Sequence, residues 1–280
     1  MAGAATVAVE LRRAEAAGAV ERPREQLLAA QEARVLRDVA LGAEWHHGER
    51  ESEDVGEAHQ ACSLDEYSSR LDEVYQRVLQ ARSTDGFTQI IRGIPGSNYA
   101  RSQKDALAIY YLALRWRITG DTNYAEEAIK GCDRWSSTMT NGVGGNSNWA
   151  LGAGICGYEF AIAGEALRGY PNWSQASISN YCKFLKIFAD GNDSFLVNHN
   201  GTCDSHYWCN WDACNAASLM ACGVFCDDTN MFNRAVTYIK QGKGNGNMTS
   251  AAWFIHTNGL AQWQESGRDQ AHTMDGVAWM

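Results

Sequence analysis

The chain is poor in proline and in positive charge. Only three of its 280 residues are proline, whereas 27 are glycine, a balance that suits helices joined by glycine-containing turns. The formal net charge of −9 at pH 7 argues against a nucleic-acid-binding surface. No stretch reaches the roughly 18 to 20 apolar residues of a membrane-spanning helix, so we expect no membrane span.

Short signatures of metal and nucleotide sites are also missing. The sequence has no HExxH pair, no EF-hand loop and no Walker motif, so we expect neither a metal nor a cofactor. The nine cysteines form no CxxC pair, and those between residues 203 and 226 lack zinc-finger spacing. Buried small hydrophobic side chains are the favoured interpretation, with disulfides second and a metal site last.

The first sixty residues differ in composition from the rest of the chain. Residues 1–61 carry 7 basic against 12 acidic side chains, a single tryptophan (Trp45) and no cysteine. We therefore predict an Ala/Glu/Arg-rich N-terminal extension, helical or disordered, ahead of one domain over residues 62–280. No signal peptide is visible, because Met1 to Val9 lacks a basic segment and Glu10 interrupts its apolar run.

Helical periodicity dominates the predicted domain. Apolar spacing predicts helices over 64–82, 102–118, 121–138, 149–168, 174–189, 208–226 and 229–241. Gly120 is expected to end the second of these, and Asp121 or Thr122 to cap the third. No run alternates long enough to require a strand. The pattern predicts an all-α fold of antiparallel helical hairpins, arranged either as an α/α toroid or as an open bundle.

Three segments are too polar and too aromatic to be simple connectors. They are Gly144–Trp149, Phe195–Gly201 with His206–Asp212, and Gln262–Thr273. Each combines amides, aromatic rings and ionisable groups. That mixture suits a carbohydrate, because aromatic faces stack on sugar rings and amides bond to hydroxyls.

Several of these segments resemble the alginate lyase family of polysaccharide lyases. The resemblance rests on Ala100–Trp149, on Asn-His-Asn-Gly…Tyr-Trp…Asn-Trp-Asp over residues 198–212, and on Glu-Ser-Gly-Arg-Asp-Gln…His-Thr over residues 265–273. It covers about residues 95–280. It implies an incomplete α/α toroid, because the family's domain continues for several helices beyond the last motif. It also implies a periplasmic or secreted protein that cleaves an acidic polysaccharide, such as alginate or glucuronan, without a cofactor. The oligomeric state stays open.

The family's reaction is β-elimination, which removes a weakly acidic proton beside the uronate carboxylate. That carboxylate must be neutralised, and Asn198, His199 and Arg268 match this role by residue type and motif. A base and an acid are also needed, for which Tyr207 is the first choice and His272 the second. Candidates for binding the sugar are Asn146, Trp149, Trp208, Asn210, Trp211, Gln264, Glu265 and Gln270.

Two other functions fit the same residues. A glycoside hydrolase would need two carboxylates flanking the bond, which Asp204, Asp212, Glu265 and Asp269 could supply. A non-catalytic carbohydrate-binding protein or a decayed lyase is the third possibility. The product separates them, because only a lyase makes an unsaturated uronate that absorbs ultraviolet light.

Overall fold

The computed structural model describes residues 86–280, and helices dominate this part of the chain. The predicted helix over 64–82 and the N-terminal extension over 1–61 lie outside the described residues. The elements in chain order are β1 (Ile90–Arg92), α1 (Tyr99–Thr119), α2 (Thr122–Thr138), β2 (Val143–Gly145), α3 (Trp149–Leu167), α4 (Gln175–Asn198), a 3₁₀ turn (His199–Gly201), α5 (Cys209–Phe225), α6 (Thr229–Gln241), α7 (Met248–Ala251), β3 (Phe254–Ile255), β4 (Ala261–Gln262) and α8 (Gln270–Trp279).

The helices form three successive hairpins, α1–α2, α3–α4 and α5–α6, arranged in two layers. The first helices of the hairpins pack side by side, α1 on α3 and α3 on α5, while α2 packs on α4. The last helix, α8, packs on α5. The all-α fold class is therefore confirmed. The arrangement of the hairpins as an incomplete toroid stays a prediction.

The helix ends follow the chemistry of the sequence. Gly120 ends α1 in the left-handed conformation (φ 72°), which glycine adopts without steric cost. Asp121 caps α2 by accepting a hydrogen bond from the backbone N–H of Asn123 at 3.0 Å. Both predictions made for this helix junction are confirmed.

The layers meet over an aromatic core. Trp135 of α2 lies 5.0 Å from Phe160 of α3, and Phe160 lies 5.1 Å from Phe184 of α4, measured between ring centroids. All three side chains are almost completely buried. Tilted and edge-on aromatic pairs of this kind add to the stability that burial of the rings already provides.

Two features differ from the prediction. The helix expected over 174–189 continues to Asn198, so that Phe195 to Asn198 form its last turn rather than a loop. Short strands also occur: β1 and β2 pair in parallel, and β3 and β4 in antiparallel. They contain two or three residues each, too few for an alternating pattern to reveal. No helix among residues 86–280 is long and apolar enough to cross a membrane.

Candidate active site

The end of α4 turns sharply at the segment Asn198–Gly201. His199, Asn200 and Gly201 adopt positive φ angles of 46°, 56° and 76°. The Asn198 side chain stabilises the turn by accepting a hydrogen bond from the Asn200 N–H at 3.0 Å. Asparagine and glycine tolerate this conformation, but for a histidine it costs about 1–2 kcal/mol. Strain of this kind clusters at functional sites and persists only where surrounding contacts hold it.

The His199 cluster consists of His199, Asp212 of α5 and Tyr238 of α6. His199 Nε2 lies 3.0 Å from Asp212 Oδ1 and 3.2 Å from the Tyr238 hydroxyl. Because an ionised carboxylate only accepts hydrogen bonds, Nε2 carries the proton and donates a hydrogen bond to Asp212 Oδ1. The exposed fractions of the three side chains are 1%, 1% and 3%. Three helices therefore bring together a histidine and a carboxylate in a site closed to water.

This environment favours the charged imidazole. The hydrogen bond to Asp212 raises the pKa of His199, burial opposes it, and the negative charges of Asp212 and Asp204 add to the rise. The other ring nitrogen, Nδ1, is buried and has no hydrogen-bond partner among residues 86–280. Asp204 Oδ1 lies 3.6 Å from it, too far for a hydrogen bond but close enough for ion pairing. Nδ1 is therefore the nitrogen of His199 that a ligand could engage.

Glycine residues after α6 allow the chain to close over this cluster. Asp212 Oδ2 accepts a hydrogen bond from the Gly246 N–H at 2.9 Å. A Cβ atom on Gly244 would lie 2.6 Å from His199 Nε2, and nearer still to Asp212 Oδ2 and the Tyr238 hydroxyl. No side chain fits at Gly244, because its backbone occupies the space directly against all three polar groups.

Tyr207 lies beside the cluster, on the segment that leads into α5. Its hydroxyl accepts a hydrogen bond from Asn200 Nδ2 at 2.9 Å. Its ring is 5.1 Å from the ring of Phe195 and 4.5 Å from that of Trp211. A packing role and the predicted site role of Tyr207 are therefore compatible, since the ring packs while the hydroxyl reaches the Asn200 amide.

A second group, the Glu265 group, forms where the segment after β4 meets the start of α5. The Cys209 N–H donates to Gln264 Oε1 at 2.8 Å, and the Asn210 N–H donates to Glu265 Oε2 at 2.9 Å. The first turn of a helix leaves N–H groups without partners and favours negative charge. Gln264 and Glu265 thus cap α5 from a distant part of the chain. Glu265 is fully buried, and burial raises its pKa.

Arg268 is held by the Glu265 group and faces an exposed tryptophan. Its Nη1 donates to Glu265 Oε1 at 3.1 Å, and its guanidinium carbon lies 5.3 Å from the centre of the Trp208 ring. Arginine over tryptophan is a favourable cation–π arrangement. One third of the Arg268 side chain is exposed, and so is 45% of Trp208. The ion pair with Glu265 therefore leaves part of the Arg268 side chain accessible.

His272 forms a second histidine–carboxylate pair, with Asp269. His272 Nδ1 lies 2.6 Å from Asp269 Oδ2, and the His272 N–H donates to Asp269 Oδ1 at 2.8 Å, which caps α8. These hydrogen bonds lower the pKa of Asp269. Unlike the His199 cluster, this pair is largely exposed.

The remaining predicted residues are more dispersed. Asn210 Oδ1 is buried without a hydrogen-bond partner, and Trp211 packs on Tyr207. Trp149 begins α3 and packs near Gly191 of α4, where an added Cβ would be 3.4 Å from its ring. Asn146 Nδ2 donates to the Gly93 carbonyl oxygen, 53 residues away in the chain, at 2.5 Å. Its Oδ1 accepts from the Asn148 N–H at 3.0 Å, just before α3. Gln270 is exposed at the first position of α8.

Sequence reasoning missed Tyr238 and Gly244, which neither lie in the recognised motifs nor stand out by residue type. It also missed a polar group between α1 and α3. There, Gln103 donates to Glu159 Oε1 at 3.1 Å, and the Arg92 guanidinium lies 4.2 Å from the Tyr99 ring. Burial raises the pKa of Glu159 to about 8. The four residues are spread over some seventy positions, and no local pattern connects them.

The comparison with known families decides the assignment. A model described as alginate lyase matches residues 49–272. The chain belongs to the alginate lyase family. No curated protein matches the chain, and no solved structure does. The alginate lyase match includes the His199 cluster, the Glu265 group and the His272–Asp269 pair, so both predicted motifs fall within the family's domain.

Proposed function

We propose that the protein is a lyase that cleaves a uronate-containing polysaccharide, such as alginate or glucuronan, by β-elimination. The single observation that carries this proposal is the His199 cluster inside an alginate lyase domain. A buried imidazole whose charged form is favoured, and one of whose ring nitrogens has no hydrogen-bond partner among residues 86–280, suits the recognition of a carboxylate.

The difficult step in uronate elimination is the removal of a proton beside a carboxylate that stays negatively charged. Charged and polar donors around the carboxylate favour the transition state, in which more negative charge develops there. In this proposal His199 donates from Nδ1, Arg268 contributes its exposed guanidinium edge, and Asn198 contributes an amide. Asp212 supports the charged state of His199 from the opposite side of the ring.

Asp204 indicates where the substrate's carboxylate would bind. In the free protein the carboxylate of Asp204 faces His199 Nδ1 at 3.6 Å, and half of its side chain is exposed. A bound uronate would place its own carboxylate against the same nitrogen. Asp204 would then move aside, which its exposure allows.

The proton is proposed to pass to Tyr207, with His272 as the second candidate. Asn200 Nδ2 donates to the Tyr207 hydroxyl at 2.9 Å, which holds in place the oxygen that would take the proton. The same hydroxyl could return a proton to the leaving sugar oxygen. The Nδ1 atom of His272 is held by Asp269, so Nε2 is the nitrogen of His272 that would take the proton.

Sugar binding is assigned to the aromatic and amide groups around these residues. Trp208 is nearly half exposed beside Arg268, and Trp211 and Trp149 offer further ring faces. Four amide side chains are proposed to bind sugar hydroxyls: Asn146, Asn210, Gln264 and Gln270. Glu265 completes the proposed set as the carboxylate that orients Arg268. In keeping with its family, we place the protein in the periplasm or outside the cell.

The hydrolase alternative has less support from the geometry. Asp212 and Glu265 are buried, and both already bond to protein groups, Asp212 to His199 and Gly246, Glu265 to Asn210 and Arg268. Such carboxylates are poorly placed to flank a sugar bond as free acid and base.

The test follows the ultraviolet absorbance of the unsaturated product on alginate, polymannuronate, polyguluronate and glucuronan. We expect the wild-type protein to raise the absorbance on at least one polymer, and His199→Ala to lose on the order of 100-fold or more of that rate. His256→Ala is the matched control, because His256 is exposed in the β3–β4 turn and should keep full activity.

Two results would contradict the proposal. New reducing ends without ultraviolet absorbance would identify a hydrolase. Binding without any product, from protein shown to be folded by circular dichroism, would identify a carbohydrate-binding relative.

A further inference from the structure

Two cysteines on neighbouring helices lie in contact at the end of α5. Cys182 belongs to α4, and Cys226 is the residue that ends α5. The Cys226 thiol lies 3.8 Å from the Cys182 carbonyl oxygen and donates to it, so the end of α5 rests directly against the backbone of Cys182. Both residues are partly exposed, and neither is in a disulfide.

The other cysteines of residues 86–280 offer no comparable pair. Cys132, Cys156, Cys209, Cys214 and Cys222 are fully buried, and burial raises their pKa values. Cys203 is exposed, but its nearest partner is the Ser205 hydroxyl at 3.8 Å. Thiol chemistry needs both an accessible sulfur and a thiolate, and among the eight cysteines that the structure describes only the Cys182–Cys226 pair combines access with a second thiol.

The charges around the pair favour a thiolate on Cys182. The pKa of Cys182 is lowered, first by its interaction with the Cys226 thiol and then by the positive charges of Arg168 and Lys186, while burial and the negative charge of Asp227 oppose the shift. Arg168 is fixed in place by Glu165 at 2.7 Å and by a hydrogen bond to the carbonyl of Phe225, next to Cys226. Cys226 donates to the Cys182 carbonyl oxygen and has a raised pKa, so the pair divides into one attacking thiol and one resolving thiol.

We propose that Cys182 and Cys226 form a disulfide in an oxidising environment and thereby join α4 to the end of α5. The oxidant is a small-molecule disulfide. The Cys182 thiolate attacks one of its sulfurs, forms a mixed disulfide and releases one thiolate. Cys226 then loses its proton to solvent and attacks the Cys182 sulfur, which releases the second thiolate. Two protein thiols are oxidised while one small disulfide is reduced to two thiols.

The crosslink would close the stretch of chain that contains most of the His199 cluster. Residues 183–225 include His199 and Asp212, which the antiparallel helices α4 and α5 bring together. A disulfide around a loop of this length restricts the unfolded chain far more than the folded one. The melting temperature of the oxidised protein should therefore rise by about 5–10 °C.

The experiment uses the full-length chain, fully reduced and then exposed to oxidised glutathione. Free thiols are blocked by alkylation, and the digested protein is mapped by mass spectrometry. We expect a crosslinked peptide joining Cys182 to Cys226 and the rise in melting temperature described above. Cys182→Ser and Cys226→Ser should each abolish both, whereas Cys203→Ser, which removes an exposed thiol outside the pair, should preserve both.

The proposal would be overturned if Cys182 and Cys226 both remained open to alkylation after oxidation. It would also be overturned if Cys203 proved to be the partner of either. Neither readout depends on polysaccharide cleavage.

Discussion

The two histidine–carboxylate pairs of this protein have the same chemistry in opposite surroundings. His199 and Asp212 are each 1% exposed and are enclosed by α4, α5, α6 and the glycine segment after α6. His272 and Asp269 are 36% and 43% exposed at the start of α8. Water competes with the second pair and not with the first, so the same hydrogen bond has very different consequences.

This difference separates the fixed part of the proposed site from its adjustable part. The His199 cluster is built from the turn after α4 and from α5 and α6, and the backbone of Gly244 and Gly246 closes one side of it so tightly that no side chain fits there. Arg268 and His272 lie on a short segment that is held to the start of α5 mainly by the buried side chain of Glu265. A rigid carboxylate-recognition point beside a more adjustable sugar-binding edge is suited to a long polymer, whose chain must enter and leave.

The largest effect is expected from breaking the buried pair. Asp212→Asn keeps the size of the side chain but leaves the imidazole without its carboxylate and presents an amide to the Gly246 N–H or to His199. Removing one partner of a buried pair costs about 3–5 kcal/mol. Urea unfolding monitored by tryptophan fluorescence measures this loss. Asp269→Asn is the matched control in the exposed pair, and asparagine can still cap α8, so little change is expected.

The pH dependence of that loss tests its cause. Asp212 raises the pKa of His199 above its value in the unfolded chain, about 6.5. The stability that this pair contributes is therefore complete below about pH 6.5 and declines as the pH rises through the raised pKa of the folded protein. The difference between wild type and Asp212→Asn should shrink over the same range. A difference that stays constant from acid to alkaline pH would show that charge is not the reason.

A smaller effect is expected from Gly244→Ala. The added methyl group would collide with His199, Asp212 and Tyr238, and overpacking of this kind costs about 1–3 kcal/mol. Gly267→Ala is the control beside Arg268, because a Cβ there meets nothing within 4 Å. The melting temperatures should fall for the first variant and not for the second. Equal changes in both would mean that the segment after α6 does not close over the cluster as described.

Much of the fold could be predicted because local spacing and capping agree with the tertiary structure. Apolar periodicity placed α2 and α6 within a residue of their observed bounds, and Gly120 with Asp121 set one helix junction. The end of α4 was predicted nine residues early, because Gly191 to Ser194 resemble a turn. In the structure Gly191 packs near Trp149, and Asn192 is buried and donates to Ser218 at 2.6 Å. Tertiary contacts overrode the local preference.

The candidate site shows the same limit. His199 and Arg268 were recognisable because they lie in compact motifs that resemble a family. Tyr238 and Gly244 are distant from His199 in the sequence and meet it only in the folded chain. Tyr238 reaches His199 from another helix, and Gly244 lets the backbone approach because it has no side chain. A single sequence has no signal for either.

The smallest change in stability, but an informative change in binding, is expected from Asp204→Asn. If Asp204 competes with the substrate's carboxylate for His199 Nδ1, removing its charge should lower KM for a polyuronate by roughly threefold to tenfold. Asp121→Asn removes an equal charge at the start of α2, where asparagine caps equally well, and so controls for the general attraction of a polyanion. Steady-state kinetics of the two variants against wild type measure the difference. If KM is unchanged, or falls equally in both variants, Asp204 does not occupy the position of the substrate's carboxylate. A fall in KM confined to Asp204→Asn would locate that position at Nδ1 of the buried His199.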